Sequence, residues 1–169
     1  MSFELNIDNS QNEETIYKQL SNQLEHLIDP TDKIISNLSN FTSALKQSFN
    51  KISWAGFYIR SNDKLFLGPF QGNTACTEIK IGNGVCGTSA LNKQTIIVDD
   101  VEKFSNHIAC DSGSRSEIVV PIIFNENLWG VLDLDSYELS AFNEIDKFYL
   151  EQFCNFLVSK LELDKFALV

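Results

Sequence analysis

SEIVVPIIFNENLWGVLDLDS, residues 116–136, is the stretch whose reading decides the fold. SEIVVPIIF is strongly β-branched, LWGVLDLD alternates, and the turn-prone Asn125, Glu126 and Asn127 stand between them, so the whole reads as an antiparallel hairpin. In its second half, alternation puts Leu132 and Leu134 on one face and Asp133 and Asp135 on the other. Strands seldom carry two acids on one face unless that face is solvated or binds something.

Working outward, ISWAGFYI and KLFLGPF flank the polar turn Ser61 to Asp63 and predict an earlier hairpin, with TEIKI and TIIV as further short strands. Between them the glycines at Gly82 to Gly84 lead into a short helix-like segment, VCGTSALNK, and the longer helical patterns lie at the ends. Ile16, Tyr17, Leu20, Leu24, Leu27 and Ile28 mark one helix over Glu14 to Ile28. A second follows the Asp29–Pro30 break, with Thr31 or Asp32 as its cap and Ile34, Ile35, Leu38, Phe41, Leu45 and Phe49 as its apolar face. The last helix starts near Ala141 and places Ile145, Phe148, Tyr149, Phe153, Phe156, Leu157 and Leu161 along one side. Terminal helices around an antiparallel sheet predict an α+β sandwich, and 169 residues suit one domain: helices over 1–50, sheet and loops over 51–142, a helical segment over 143–169.

A net charge of -10 disfavours nucleic acid and anionic membrane as partners. No run approaches the roughly 20 apolar residues of a membrane span, and the N-terminus lacks the basic and apolar regions of a secretory signal. The expectation is a cytoplasmic protein, in which cysteines are more often chemical than structural.

Between the hairpins, residues 70–117 carry Cys76, Cys86 and Cys110, five of the eight glycines and one of the two histidines. Each of these cysteines sits beside glycine, serine or alanine, a placing that favours reactive over packed thiols. His107 and Arg115 would lower the pKa of Cys110 and Asp111 would raise it. Cys76 and Cys86, among small residues and flexible loops, suit thiols that move to form a disulfide. Cys154, between Phe153 and Phe156, reads as a small buried hydrophobe. A zinc site from Cys76, Cys86, His107 and Cys110 is the alternative, although only His107 and Cys110 are closely spaced.

If Glu117 lies near Asp133 and Asp135, three carboxylates share one site, and their repulsion raises at least one pKa. Such a site is either a general acid or a cavity for an ammonium group. Trp54 and Tyr58 share a strand face with Gly56 between them, as two walls of a small pocket. Neither nucleotide-binding glycine motif occurs. A nucleophilic thiol, resolving thiols, acids and an aromatic wall together suit reduction of a small oxidised sulfur compound that bears an amine.

The runs WAGFY (54–58), LGPFQG (67–72), GVCGT (84–88), HIACDS (107–112), SEIVVPI (116–122) and GVLDLDS (130–136) closely resemble the free methionine-(R)-sulfoxide reductases, which are single GAF domains. The resemblance covers nearly all of Lys51 to Phe142. It implies a six-stranded antiparallel sheet with terminal helices on one face and a ligand pocket on the other. It also implies reduction of free L-methionine-(R)-S-oxide, with Cys110 as nucleophile, Cys76 as main resolving partner and Cys86 as a further thiol for recycling. Trp54, Tyr58, Glu117, Asp133 and Asp135 would bind substrate, thioredoxin would be the reductant and a homodimer the assembly, with no cofactor and no metal. The alternative within the fold is a non-catalytic sensor of a small, cyclic-nucleotide-like molecule. An acidic pocket opposes a phosphate, and a scaffold role would leave the three loop thiols unexplained.

Overall fold

The computed structural model describes residues 4–108 and 110–166. Ala109 of the HIACDS run, the first three residues of the 1–50 segment and the last three of the 143–169 segment lie outside the described residues. In chain order the elements are α1 (Glu13–Leu27), α2 (Ile34–Ser48), β1 (Trp54–Ser61), β2 (Lys64–Gln71), β3 (Glu78–Lys80), α3 (Gly84–Asn92), β4 (Ile96–Val98), β5 (Ser116–Phe124), β6 (Asn127–Ser136) and α4 (Glu144–Lys160).

Six strands form one antiparallel sheet, as the resemblance implied, and their order is β3-β2-β1-β6-β5-β4. Both hairpins turn through left-handed backbone, at Asn62 (φ 57°) and at Asn125 and Glu126 (47° and 65°), a conformation that asparagine adopts more readily than most residues. Strand alternation then sorts the side chains into two cores. Ala55, Phe57, Ile59, Ile118, Val120, Ile122, Leu132 and Leu134 pack beneath α1, α2 and α4. Trp54, Tyr58, Val119 and Val131 face the other way, toward α3 and the long loops.

The helical core is strongly aromatic: Phe41 meets Phe57 and Phe153 at centroid distances of 5.7 and 6.1 Å, and Tyr17 stacks on Tyr149 at 4.9 Å. Full burial of each such ring contributes roughly 1.5–3 kcal/mol. A polar knot closes the edge of this layer. Lys51 Nζ donates to the Ala141 carbonyl at 2.9 Å and pairs with Asp146 at 2.8 Å, while the Tyr17 hydroxyl donates to Asp146 Oδ1 at 2.8 Å. Asp146 also accepts from the Asn143 N–H, completing the capping box that starts α4.

Several sequence expectations shift here, beginning with Ile35, expected on the apolar face of α2 and 47 % exposed. The start of α4 is Glu144 rather than Ala141, because Asn143 holds the cap. Ile145 and Phe148, expected on the buried side of that helix, are 41 % and 56 % exposed; the buried stripe runs through Tyr149, Leu150, Phe153, Cys154 and Leu157. Neither Thr31 nor Asp32 caps α2, whose cap position is Lys33 with no side-chain bond. Asp29 has claimed Thr31 instead, accepting from its N–H and its hydroxyl at 2.8 and 2.7 Å in a local turn.

Candidate active site

The strand register builds the floor of the site. Trp54 on β1 pairs with Asp135 on β6, which pairs with Glu117 on β5, so these three form one row across the sheet. In the next row Gly56 pairs with Asp133 and Asp133 with Val119. Directly opposed residues share a face. The three carboxylates expected from sequence therefore do meet, on the side away from the helical core.

Above this floor lie α3 and two loops. Cys86 sits in the first turn of α3 and its thiol donates to Glu117 Oε1 at 3.9 Å. The loop that follows β2 carries Cys76, and the segment before β5 carries Cys110. Their sulfurs are joined in a disulfide, with Cα atoms 5.3 Å apart. Both aromatics hold the Cys76 loop down: the Trp54 indole N–H donates to the Asn73 carbonyl and the Tyr58 hydroxyl to the Cys76 carbonyl, each at 3.1 Å. All eight expected site residues, Trp54, Tyr58, Cys76, Cys86, Cys110, Glu117, Asp133 and Asp135, thus surround one pocket or brace it.

With the disulfide closed, about 40 Å³ of cavity is left. That admits a few waters and is far below the roughly 300 Å³ at which ligand pockets begin.

Among the described residues no lysine or arginine lines the pocket. Glu117 and Asp133 are buried and Asp135 half-buried. Burial pushes the Glu117 carboxyl well above its ordinary range, and the Asp133 and Asp135 charges push it further. Burial, then the Asp133 charge, does the same to Asp135. Asp133 is pushed up to about 7 by burial, against hydrogen bonds with Cys86 and Glu117 that pull it down. Its Oδ1 is fully enclosed and has no hydrogen-bond partner among the described residues. A buried acceptor in that condition is costly unless a ligand donates to it.

Some expectations change at this level. Cys86 lies in the short helix that its segment led us to expect, but not as a mobile thiol: it is buried, 3 % exposed, and burial together with the Asp133 and Glu117 charges holds its thiol well above the ordinary range. His107 points its Nε2 toward Glu117 Oε2 at 3.9 Å, and desolvation lowers its pKa, so it brings little positive charge at neutral pH. Arg115 is exposed. The four-residue zinc set does not assemble, because the sulfurs of Cys76 and Cys110 are bonded to each other. Cys86 Sγ and one oxygen each of Glu117 and Asp133 do lie within 4.8 Å of one another, a small donor set that sequence spacing gave no sign of. Cys154 is buried in the helical core, as expected.

Sequence reasoning passed over Asn73 and Tyr137. The Tyr137 hydroxyl donates to Asp111 Oδ2 at 2.9 Å, and Asn73 Nδ2 donates to Tyr137 at 2.9 Å and to Asp111 at 3.2 Å. Positions flanking the cysteine loops were the available signal, since loop residues beside a reactive group commonly position it.

The GAF domain family model matches residues 34–161. GAF domain-containing protein A of Dictyostelium discoideum is 48 % identical over 158 residues, covering 93 % of this chain and 99 % of that protein. The free methionine-R-sulfoxide reductase of Saccharomyces cerevisiae is 43 % identical over 156 residues, covering 88 % and 87 %. Among solved structures, free methionine-R-sulfoxide reductase from Neisseria meningitidis in complex with its substrate superposes with a TM-score of 0.91 at 37 % identity, covering 96 % of this chain and 97 % of that one. A family model that spans the whole sheet, and relatives matched almost end to end, make this chain a member of the GAF domain family.

Proposed function

We propose that this chain is an oxidoreductase that reduces free L-methionine-(R)-S-oxide to L-methionine. The observation that carries the reading is the disulfide Cys76–Cys110 closing over a pocket whose floor is three acids, one with a buried oxygen that lacks a donor. Relatives at 39 % and 43 % identity that carry the name free methionine-R-sulfoxide reductase support it.

In the reduced protein the loops part and substrate enters. Its ammonium donates to the carboxylates of the floor, and its methyl and side-chain carbons pack on Trp54 and Tyr58. Cys110, as thiolate, attacks the sulfoxide sulfur while a carboxyl of raised pKa protonates the oxygen. The S–O bond breaks as the protonated oxygen passes to the Cys110 sulfur, the bond between the two sulfurs breaks with its electron pair going to the substrate sulfur, methionine leaves and Cys110 is left as sulfenic acid. The Cys76 thiol attacks that sulfur, water departs and the disulfide forms. A dithiol reductant, with thioredoxin as our assignment, returns both thiols by exchange. Cys86 acts as an additional thiol in this recycling. Each turnover consumes one sulfoxide and one dithiol and yields one sulfide, one water and one disulfide.

We place this activity in the cytoplasm, where such reductants keep thiols reduced. No helix among the described residues is long and apolar enough to cross a membrane. We assign a homodimer as the assembly; exposed Ile145 and Phe148 on α4 offer apolar area for it.

Chiral chromatography of product from free and peptide-bound sulfoxides, with dithiothreitol or thioredoxin as reductant, tests the reading. We expect turnover of the free R epimer and none with Cys110→Ser. Full turnover by that variant would overturn the assignment of the nucleophile.

A further inference from the structure

The two cysteine loops are fastened to each other twice. Besides the disulfide, Asn73, three positions before Cys76, and Asp111, immediately after Cys110, are bridged through Tyr137 just beyond the end of β6. The Tyr137 hydroxyl is a junction: it accepts from Asn73 Nδ2 and donates to Asp111 Oδ2, both at 2.9 Å. Asp111 is prepared for this by its own loop, since the Gly113 N–H donates to its other oxygen at 2.9 Å. Gly113 also provides the seat for the ring: a Cβ there would stand 2.8 Å from Tyr137 Cε1. Asn73 is held from the sheet side, its carbonyl accepting from the Trp54 indole.

We propose that Asn73, Asp111 and Tyr137 form a latch that closes with the Cys76–Cys110 disulfide and sets how readily that disulfide is reduced. The residual cavity is too small for an amino acid, so substrate entry requires these loops to separate, and separation breaks the bridge from Asn73 to Asp111. A contact made when the sulfurs are together and lost when they part adds its free energy to the disulfide state alone. Linkage is reciprocal: the disulfide favours the latch as much as the latch favours the disulfide. The carboxylate makes these bonds charge-assisted, which gives them weight even at a half-exposed site. Tyr137 and Asn73 are positioning residues here, acting on Cys110 and Cys76 through the loops that bear them.

The test is the equilibrium constant for disulfide formation, measured in glutathione or dithiothreitol redox buffers by alkylation and mass spectrometry. Tyr137→Phe and Asn73→Ala should each lower it about tenfold, equivalent to raising the reduction potential by about 30 mV. The double variant should fall little further than either single one, because both break the same junction. Gly113→Ala, which removes no hydrogen-bonding group and only displaces the ring, should move the constant in the same direction. Constants within about twofold of the parent for Tyr137→Phe and Asn73→Ala, or effects that multiply in the double variant, would overturn the latch. The catalytic meaning of the latch rests on the reductase reading, but the equilibrium is measured without sulfoxide. Sulfoxide reduction with an unmoved constant sinks the latch alone; a shifted constant without turnover sinks the reductase reading and leaves the latch standing.

Discussion

The indole of Trp54 lies over Gly56, two residues along the same strand face, where a Cβ would stand 2.2 Å from Trp54 Cη2 and 2.6 Å from Phe70 Cβ. The missing side chain thus makes room for the tryptophan ring, which stacks on Phe70 at 5.4 Å and Tyr58 at 6.0 Å. Gly56→Ala should force the ring out of this stack. We expect a loss of about 1–3 kcal/mol of stability, read as a lower Tm, with a changed tryptophan emission. It should also weaken binding of substrate to the reduced protein. Unchanged Tm and emission would show that the wall can shift without cost.

Cys86 and Cys110 should behave as chemical opposites. In the fully reduced native protein we expect iodoacetamide to modify Cys110 and Cys76 rapidly at neutral pH, Cys86 far more slowly, in the excursions of α3 that let it join recycling, and Cys154 only after unfolding. Cys86 and Cys154 are both 3 % exposed, and burial raises their pKa values. Peptide mapping after a short alkylation decides this. Rapid labelling of Cys86 would mean that α3 opens along with the loops.

Alternation along GVLDLDS was enough to place the two aspartates on one face, because side-chain period in a strand is fixed by geometry and not by context. The register that sets Glu117 opposite Asp135 was not legible in the same way. It depends on the β5–β6 turn and a shift between Ile122 and Ile123, which no local pattern announces. Helix starts were misread where a local polar contact decided them: Asp29 captured Thr31, and the Asn143 cap set the start of α4 at Glu144 rather than near Ala141. For Cys86 the helix-like pattern of VCGTSALNK held, and the mobility read from its small neighbours did not: Gly87 is required by packing, since a Cβ there would lie 2.5 Å from the Lys80 carbonyl. The latch was invisible in sequence because Asn73, Asp111 and Tyr137 meet across as many as 64 positions.

The acid floor predicts an unusual pH dependence of stability. Asp133 titrates at about 7 in the folded protein and near the ordinary 3.8 when unfolded. Between those values the native state holds the extra proton, so stability present below about pH 4 is lost as pH rises through about 7. For this group alone the fall is on the order of 2 kcal/mol from about pH 5 to about pH 7. His107, whose pKa is lowered by desolvation, contributes with the opposite sign just below its ordinary value. The informative quantity is therefore the difference between parent and Asp133→Asn, which should be more stable than the parent at pH 7 and lose that advantage toward pH 5. An amine ligand should reverse the slope, binding the reduced protein more tightly as pH rises, with proton release seen by calorimetry in two buffers. A parent-to-variant difference that stays flat with pH would remove the raised carboxyl from the mechanism.

Lys51 tests whether stability and chemistry are separable across the sheet. Its ammonium stands between Glu13, Asp146 and the Ala141 carbonyl on the helical side, away from the acid floor, and Asp146 is wholly enclosed. Replacing a buried ion pair outright is often tolerated, but removing one partner strands the other charge, at roughly 3–5 kcal/mol. Lys51→Met should accordingly lower Tm by many degrees, while Lys51→Met with Asp146→Asn recovers much of the loss, because the amide oxygen can still accept from the Asn143 N–H while the amide nitrogen donates to the Tyr17 hydroxyl, which turns to accept. Turnover per folded molecule and the Cys76–Cys110 equilibrium should stay near parental values in both variants, measured well below their melting temperatures. A catalytic defect that persists in the double variant would show that the helical layer holds the register of β1 and β6, and through it the row of Trp54, Asp135 and Glu117.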